Sequence, residues 1–524
     1  MQTIRFFAIS LFFSFVNDGW PAAADDLPVV DTGSGKVSGL FLDRENQLAV
    51  FRGIPYAQPP LGELRWKPPR KVQAWSGTRA CREFSPAAPQ IPLSVKQDED
   101  CLYLNVWTRQ AGNPQARLPV MVWIHGGGLN RGSGHRPVYE GSGFAKRDVV
   151  LVTVNYRLGA LGFLAHPELS AESSEGISGN YGFLDQIEAL KWVRQNISQF
   201  GGDPGNVTLF GESAGGTSVS LLCVCEKAKG LFHRAIIQSP WMFGFITQLA
   251  EPNVVPLKGP LAATPSAEQL GEEWARNLTQ RKGKAAIGEL RSLPPEKILQ
   301  AVDYYPTRAT IDGVVLTGHP CQLFREGRQA DIPMMIGTTR DEGAYFRQWI
   351  NLPTRESFVK KLSRFYGPEA EGVADLYPGN SARELSQAGV DFVTDSWFVQ
   401  PARQMLNGMS TVSSKTFQYE FSHVNRENPA LGAHHSIELP YVFNTLKNRQ
   451  QRPDDQALAD LLTDYWVQFA RAGNPNRKGL PQWPEYRAET GHCLQLDRTT
   501  RVLQDVRRRN CDRIDQAWNA VYRK

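Results

Sequence analysis

Short alternating runs open the chain. Val37 to Leu42 and Leu48 to Ile54 switch between apolar and polar positions, the period of strands buried on one face, and predict a hairpin-rich antiparallel segment over about residues 26–56. Prolines from Pro55 to Pro92 then mark a long irregular connection. From Leu102 onward the pattern changes. Leu118 to Ile124, Val149 to Val154, Val207 to Phe210, Ala235 to Ile237 and Ile332 to Ile336 are almost continuously apolar, as strands covered on both faces must be. Helix-period stretches separate several of them, notably Gly182 to Phe200, with apolar residues at 183, 184, 187, 190, 193 and 197. This alternation predicts an α/β fold, a large and mostly parallel sheet with helices on both faces. Residues 251–310 and 352–415 are more polar and read as helical insertions above that sheet. No internal repeat and no Gly/Ser linker divides the chain, so residues 25–524 are predicted to form a single catalytic domain.

The first two dozen residues do not belong to that fold. Arg5, the apolar stretch Phe6 to Val16 and the small residues Ala22-Ala23-Ala24 have the layout of a signal peptide, residues 1–24. The apolar stretch is shorter than the roughly 20 residues that span a bilayer. A secreted or periplasmic protein without membrane attachment after cleavage is therefore predicted. Over 524 residues, 58 Lys+Arg against 53 Asp+Glu leave only +5, too little to imply a nucleic-acid partner. The longest basic run, Arg507-Arg508-Arg509, reads as a solvated helix face. Export permits disulfides among the 7 Cys, and the odd count leaves at least one unpaired. Pairing of Cys81 with Cys101 would close a short loop, and of Cys493 with Cys511 would staple the C-terminus; connectivity stays open at this point. No metal-ligand spacing occurs, so neither metal nor cofactor is predicted.

Gly211-Glu212-Ser213-Ala214-Gly215 carries the chemistry. It follows the strand Val207 to Phe210 and precedes the helical run Thr217 to Leu222, the setting of a nucleophile elbow in an α/β-hydrolase fold. A second motif, His125-Gly126-Gly127-Gly128, follows the strand Val120 to Ile124. Backbone amides of Gly127, Gly128 and Ala214 are predicted to form an oxyanion hole, because donors must approach a carbonyl oxygen without obstructing side chains. Serine also needs a general base oriented by an acid, and in this fold both follow it in the chain.

With these motifs, Phe51-Arg-Gly-Ile-Pro-Tyr-Ala57, Glu99-Asp-Cys-Leu-Tyr-Leu-Asn105, Asn155-Tyr-Arg157, Gly179-Asn-Tyr-Gly182, Thr339-Arg-Asp-Glu-Gly343 and His435-Ser-Ile-Glu-Leu439, the sequence resembles the type-B carboxylesterase family, which includes cholinesterases, some fungal lipases and neuroligins. The resemblance runs from about residue 37 to 511. It implies Glu342 as the acid, His435 rather than His434 as the base, and an ester-cleaving serine hydrolase acting through an acyl-enzyme. Glu212, beside the nucleophile, would stabilise the protonated base or orient a water. Arg52, Glu99, Asp100 and Arg157 would make structural ion pairs and hydrogen bonds. The family's first-loop cysteine lies near Ala88 and its C-terminal bridge partner near Gln400. With both slots empty, the resemblance points to Cys81–Cys101 and Cys493–Cys511 instead.

Departures from the family bear on substrate. Arg82 to Asp100 holds no Trp or Tyr to bind a quaternary ammonium by cation–π contact, which disfavours choline esters. The same short, partly polar segment makes a poor lid for long-chain triglyceride. Arg131, Arg340 and Arg347 flank the predicted site, where they would suit an acyl group bearing further carboxylates, as in esters of di- or tricarboxylic acids, microbial toxin side chains included. The predicted partner is a small-molecule ester, and oligomeric state is not legible. Alternatives are an amidase or transacylase on the same site, or a non-catalytic neuroligin-like binding module, which an intact Ser213, Glu342 and His435 set disfavours.

Overall fold

A computed structural model describes residues 27–522 except 92–94, 243–245, 252, 256–261, 302–307, 351, 425–428 and 447–451; the segment read as a signal peptide, 1–24, lies outside the described residues. The centre is an 11-stranded sheet. In chain order its strands are β1 (Leu40–Asp43), β2 (Leu48–Pro55), β3 (Tyr103–Thr108), β4 (Leu118–Ile124), β5 (Val150–Val154), β6 (Gly202–Glu212), β7 (Arg234–Gln238), β8 (Met334–Thr339), β9 (Thr416–Phe421), β10 (His492–Leu496) and β11 (Arg501–Gln504). Across the sheet they run β1-β2-β3-β5-β4-β6-β7-β8-β9-β10-β11. From β5 to β10 every neighbour is parallel, while β1 to β3 at one edge and β11 at the other are antiparallel. The mostly parallel sheet read from the apolar runs is thus present.

The apolar runs are continuous because successive residues enter two different cores. On β4, Val120, Val122 and Ile124 join a cluster with Phe183, Ile187, Leu190 and Val193 of α1 (Tyr181–Asn196) and Val219 and Leu222 of α2 (Ala214–Cys223). Met121 and Trp123 face the other way, toward Leu458, Leu462, Trp466 and Phe469 of α3 (Pro453–Ala472). The two inserted regions are helical, with Ala267–Thr279, Gly283–Ser292 and Pro295–Gln300 in the first and Arg355–Tyr366, Ala382–Val393 and Gln400–Gly408 in the second. The first also holds strands the sequence pattern did not reveal: Asn253–Val255 pairs with Ala262–Thr264, and Ala309–Ile311 with Ile246–Gln248 just outside.

Several expectations are corrected. The run Val37 to Leu42 is split at Gly39, where an added Cβ would lie 2.4 Å from the Val50 carbonyl oxygen. Gly35–Ser38 pairs into a separate three-stranded sheet and only Leu40–Asp43 joins β2. All seven cysteines are buried and free, so neither Cys81–Cys101 nor Cys493–Cys511 is bonded. Their surroundings differ. Cys81 Sγ points at the Gly53 carbonyl, whereas Cys101 sits near Asp185 and Arg157. Cys493 lies near Glu420, and Cys511 near Asp395 and Arg403. Arg507 is no solvated arginine: its Nη1 donates to the fully buried Asp395 at 2.7 Å. Glu99 is in a buried pair, with Arg65, while the Arg52 guanidinium lies 4.7 Å from the Phe84 ring centre. Arg157 does form a buried pair, with Asp185 at 2.7 Å. Among the described residues no helix is long and apolar enough to cross a membrane.

Candidate active site

Chain order reverses beside β4, whose neighbours β5 and β6 lie on opposite sides, and in open α/β sheets that switch point is where ligands bind. Four strands deliver the candidate residues there: β4 leads into the glycine loop, β6 into Ser213, β8 into Glu342 and β9, after a longer excursion, into His435.

Ser213 has φ 58° and ψ −125°, strained for a non-glycine residue, and α2 starts immediately after it. Its N–H donates to the Gln238 carbonyl at the end of β7, 3.0 Å away. The turn can form because position 215 lacks a side chain; a Cβ there would lie 2.0 Å from the Ile124 carbonyl oxygen. Gly127, with φ 112°, is equally constrained, since its Cβ would fall 2.0 Å from the Arg131 carbonyl. Gln90 braces this loop, accepting from the Gly132 N–H at 2.7 Å and donating to the Gly132 carbonyl at 2.8 Å. The N–H groups of Gly127, Gly128 and Ala214 find no acceptor among the described residues, so three donors remain available.

His435 is buried between two carboxylates. Its Nδ1 lies 2.5 Å from Glu342 Oε2 and its Nε2 3.1 Å from Glu212 Oε1. The other Glu342 oxygen accepts from the Thr339 N–H at 2.8 Å and from Ser239 Oγ at 2.5 Å, which fixes the acid completely. Glu212 Oε1 also accepts from Ser436 Oγ at 2.5 Å. A third buried carboxylate, Glu438, accepts from Gln238 Nε2 at 3.1 Å, and its Oε2 has no partner among the described residues. Ser213 Oγ has no hydrogen-bond partner among the described residues. In unliganded sites such bonds are commonly long and tighten when substrate binds.

This crowding of negative charge sets the protonation states. Burial alone would lower the His435 pKa, but Glu212 and Glu342 outweigh it and raise it to about 9. Burial raises Glu212, against the opposing pull of His435 and the Ser436 hydroxyl. Burial, with Glu212 and Glu342 nearby, pushes Glu438 up to about 8. His434 is lowered by burial, and its Nδ1 is engaged with the His435 carbonyl at 2.9 Å.

The three arginines do not converge. Arg340 is tied to Asp341 through Nε and Nη2, at 3.1 and 2.8 Å, and Asp341 also holds the Ala433 N–H. Arg347 is exposed, reaching Gln387 at 3.5 Å, and Arg131 is exposed with no side-chain partner among the described residues. Aromatic rings pack against His435 and approach the glycine loop instead. Trp241 stacks on Trp397 at 5.6 Å, Phe346 touches both Trp397 and Phe398, and Phe398 lies 4.9 Å from the His435 ring. The backbone of Trp241 is pinned to α2 by Thr217 Oγ1, and its ring edge would be 3.9 Å from a Cβ on Gly128. Sequence reasoning missed Ser239, Trp241, Trp397, Phe398 and the link from Ser436 to Glu212. Only Ser239 left a signal, as a hydroxyl directly after an apolar strand.

A strained serine at a helix start, an imidazole anchored to a buried carboxylate and amides without acceptors suit acyl transfer. The profile of the carboxylesterase family matches residues 26–514. The chain is 35% identical to the fumonisin B1 esterase of Sphingopyxis macrogoltabida, covering 89% of this chain and 86% of that protein. It is also 35% identical to the para-nitrobenzyl esterase of Bacillus subtilis (strain 168), covering 91% and 96%. The crystal structure of Geobacillus stearothermophilus carboxylesterase EST55 superposes with a TM-score of 0.79 at 33% identity, over 94% of this chain and 100% of that one. The chain therefore belongs to the carboxylesterase family and is a carboxylic ester hydrolase.

Proposed function

We propose that Ser213, His435 and Glu342 hydrolyse the ester through an acyl-enzyme, within one catalytic unit exported after residue 24. The observation carrying this reading is the buried His435 Nδ1 to Glu342 contact beside a serine held at positive φ. Ser213 Oγ attacks the carbonyl carbon as its proton passes to His435 Nε2, and Gly127, Gly128 and Ala214 N–H groups receive the oxyanion. Collapse breaks the ester C–O bond, and His435 returns the proton to the departing alcohol. Water then attacks the acyl carbon, giving its proton to His435, and collapse releases the acid and restores Ser213. Ser213→Ala should lower kcat by about 10⁵–10⁶ with the fold intact, since the triad acts as a unit. Fluorophosphonate should leave a single adduct, on the 211–216 peptide. An adduct elsewhere, or activity in the alanine variant, overturns the assignment.

For substrate, the reading is an ester whose acyl group carries one or two further carboxylates, including side chains of microbial toxins. Similarity to an esterase named for fumonisin B1 supports testing that toxin. Arg131 and Arg347 are the remaining cationic candidates, because Asp341 neutralises Arg340. Purified protein tested on aryl, aliphatic and polycarboxylate esters should prefer the last. Arg131→Ala and Arg347→Ala should raise KM for that group alone; unchanged KM removes the arginines from the proposal.

A further inference from the structure

Ser436 occupies a backbone position better suited to glycine. Its φ is 68°, in the left-handed region where an L side chain is strained, and it directly follows His435. What the side chain does there is visible: its hydroxyl donates to Glu212 Oε1 at 2.5 Å, and that same oxygen lies 3.1 Å from His435 Nε2. One carboxylate oxygen thus sits between the hydroxyl and the imidazole edge that must face Ser213. Strain kept at such a place points to a task that the side chain performs.

We propose that Ser436 is a positioning residue, whose hydroxyl shares the Glu212 oxygen that faces His435 Nε2 and so governs how readily that nitrogen gives up its proton before attack. The proposal rests on His435 being the base. Glu342, after β8, faces the opposite edge of the imidazole, and Glu438 lies just beyond Ser436. Arg136 and Tyr139 act on Glu212 from the segment after the glycine loop, Tyr419 from β9, and His434 flanks the base. None of these gives Glu212 a hydrogen bond. Apart from the imidazole, the Ser436 hydroxyl is the one side-chain donor to Glu212 among the described residues.

A hydroxyl donating to a carboxylate favours its charged form. Without it, the charge on that Glu212 oxygen bears on the Nε2 proton alone and holds it more tightly, so freeing Nε2 requires a higher pH. The decisive measurement is the pH profile of kcat/KM for Ser436→Ala and Ser436→Gly. Both should move the acid limb upward by about half a unit to one unit, which is a roughly three- to tenfold loss at neutral pH. Only the glycine variant also relieves the backbone, so its Tm should equal or exceed the parent's and that of the alanine variant. In a Glu212→Gln background the same substitutions should leave the limb where it is. A limb unmoved in both single variants, or a shift that persists undiminished in the Glu212→Gln background, overturns the proposal while leaving the base assignment standing. Full activity in His435→Ala would instead overturn the assignment beneath it.

Discussion

Two histidines in this molecule are each buried between two carboxylates, and what stands beside those carboxylates differs. His423, two residues past β9, has Nε2 2.9 Å from Asp455 Oδ1 and Nδ1 3.0 Å from Asp497 Oδ1. Arg498 stands beside that cluster, 3.5 Å from Asp455 and 3.7 Å from Asp454, while its N–H and Ser422 Oγ satisfy Asp497. A guanidinium stands among the acids there, and the assembly ties the end of β9 to the start of α3 and the end of β10. Among the described residues His435 has three carboxylates around it, none of them bonded to an arginine, and Ser213, next to Glu212 in the chain, has an unbonded hydroxyl. Acids that share a cation make a clamp; acids without one raise the pKa of the imidazole they surround. The difference lies in the third partner, a cation for one histidine and, for the other, the hydroxyl proposed above as the nucleophile.

Substituting each histidine breaks this comparison most sharply. His435→Ala should reduce kcat about as far as the serine variant, by roughly 10⁵–10⁶, even where the variant is fully folded. His423→Ala should spare the chemistry. It leaves the buried Asp455 facing another acid, a loss of about 3 kcal/mol or more in stability, while folded protein keeps most of its turnover. Parallel denaturant titrations and steady-state assays separate the two; equal kinetic losses would mean that the clamp also serves the chemistry.

Glu342→Gln is the next step down. The amide keeps the shape and the Ser239 contact but loses the charge that orients the imidazole and stabilises its protonated form. By analogy with other triads the cost is about 10³–10⁴ in kcat, less than removing the base. Asp341→Asn, whose parent side chain holds Arg340 and the Ala433 N–H rather than the imidazole, should cost far less. If the two variants are equally impaired, the acid is not singled out by its contact.

The central strands, the turn at Ser213 and the glycine loop were legible, because each is written in a stretch of adjacent residues, and the family resemblance pointed to Glu342 and His435, which the fold brings into contact. What escaped joins residues far apart in the chain. Ser239 meets Glu342 across 103 positions, Gln238 meets Glu438 across 200, and Ser436 meets Glu212 across 224. Arg507 looked like surface within its own run, and only the fold brings Asp395 to it. The cysteines were misread for the related reason that export makes a disulfide permissible, whereas geometry alone brings two sulfurs together. The pKa of the base belongs here too. A lone histidine titrates near 6.5, and nothing local to residue 435 announces that two distant glutamates raise it to about 9.

That shift makes the third prediction, with opposite signs for activity and stability. The base must be neutral to accept a proton, so kcat/KM should climb about tenfold per pH unit toward about 9 and then level. Protonated His435 is favoured by the fold, so its contribution to stability is complete below about 6.5 and is lost as pH rises through about 9. Glu212→Gln removes one of the two charges and should bring the activity limb down. A rate already level at pH 7, with chemistry limiting, would show that the carboxylates do not hold the proton as described.

The smallest effect is expected at the residue next door. His434 precedes the base directly, yet its Nδ1 is engaged with the His435 carbonyl, and its ring lies 6.4 Å from the exposed Tyr345 ring, which also leans on His435 at 5.9 Å. Consecutive residues point in different directions, so only one imidazole can meet Glu342 with Nδ1 and turn its other edge inward. His434→Ala should therefore keep kcat within roughly threefold, as substitutions outside a special contact usually do. Any change should fall on KM, and more for esters with bulky alcohols, because His434 is half-buried and Tyr345 exposed while His435 is buried. Measuring kcat and KM for a small and a bulky alcohol with the same acyl group tests this directly. A dead His434→Ala would mean that the base is one residue earlier, and the contrast between a histidine whose acids share a cation and one whose acids do not would then have been drawn around the wrong ring.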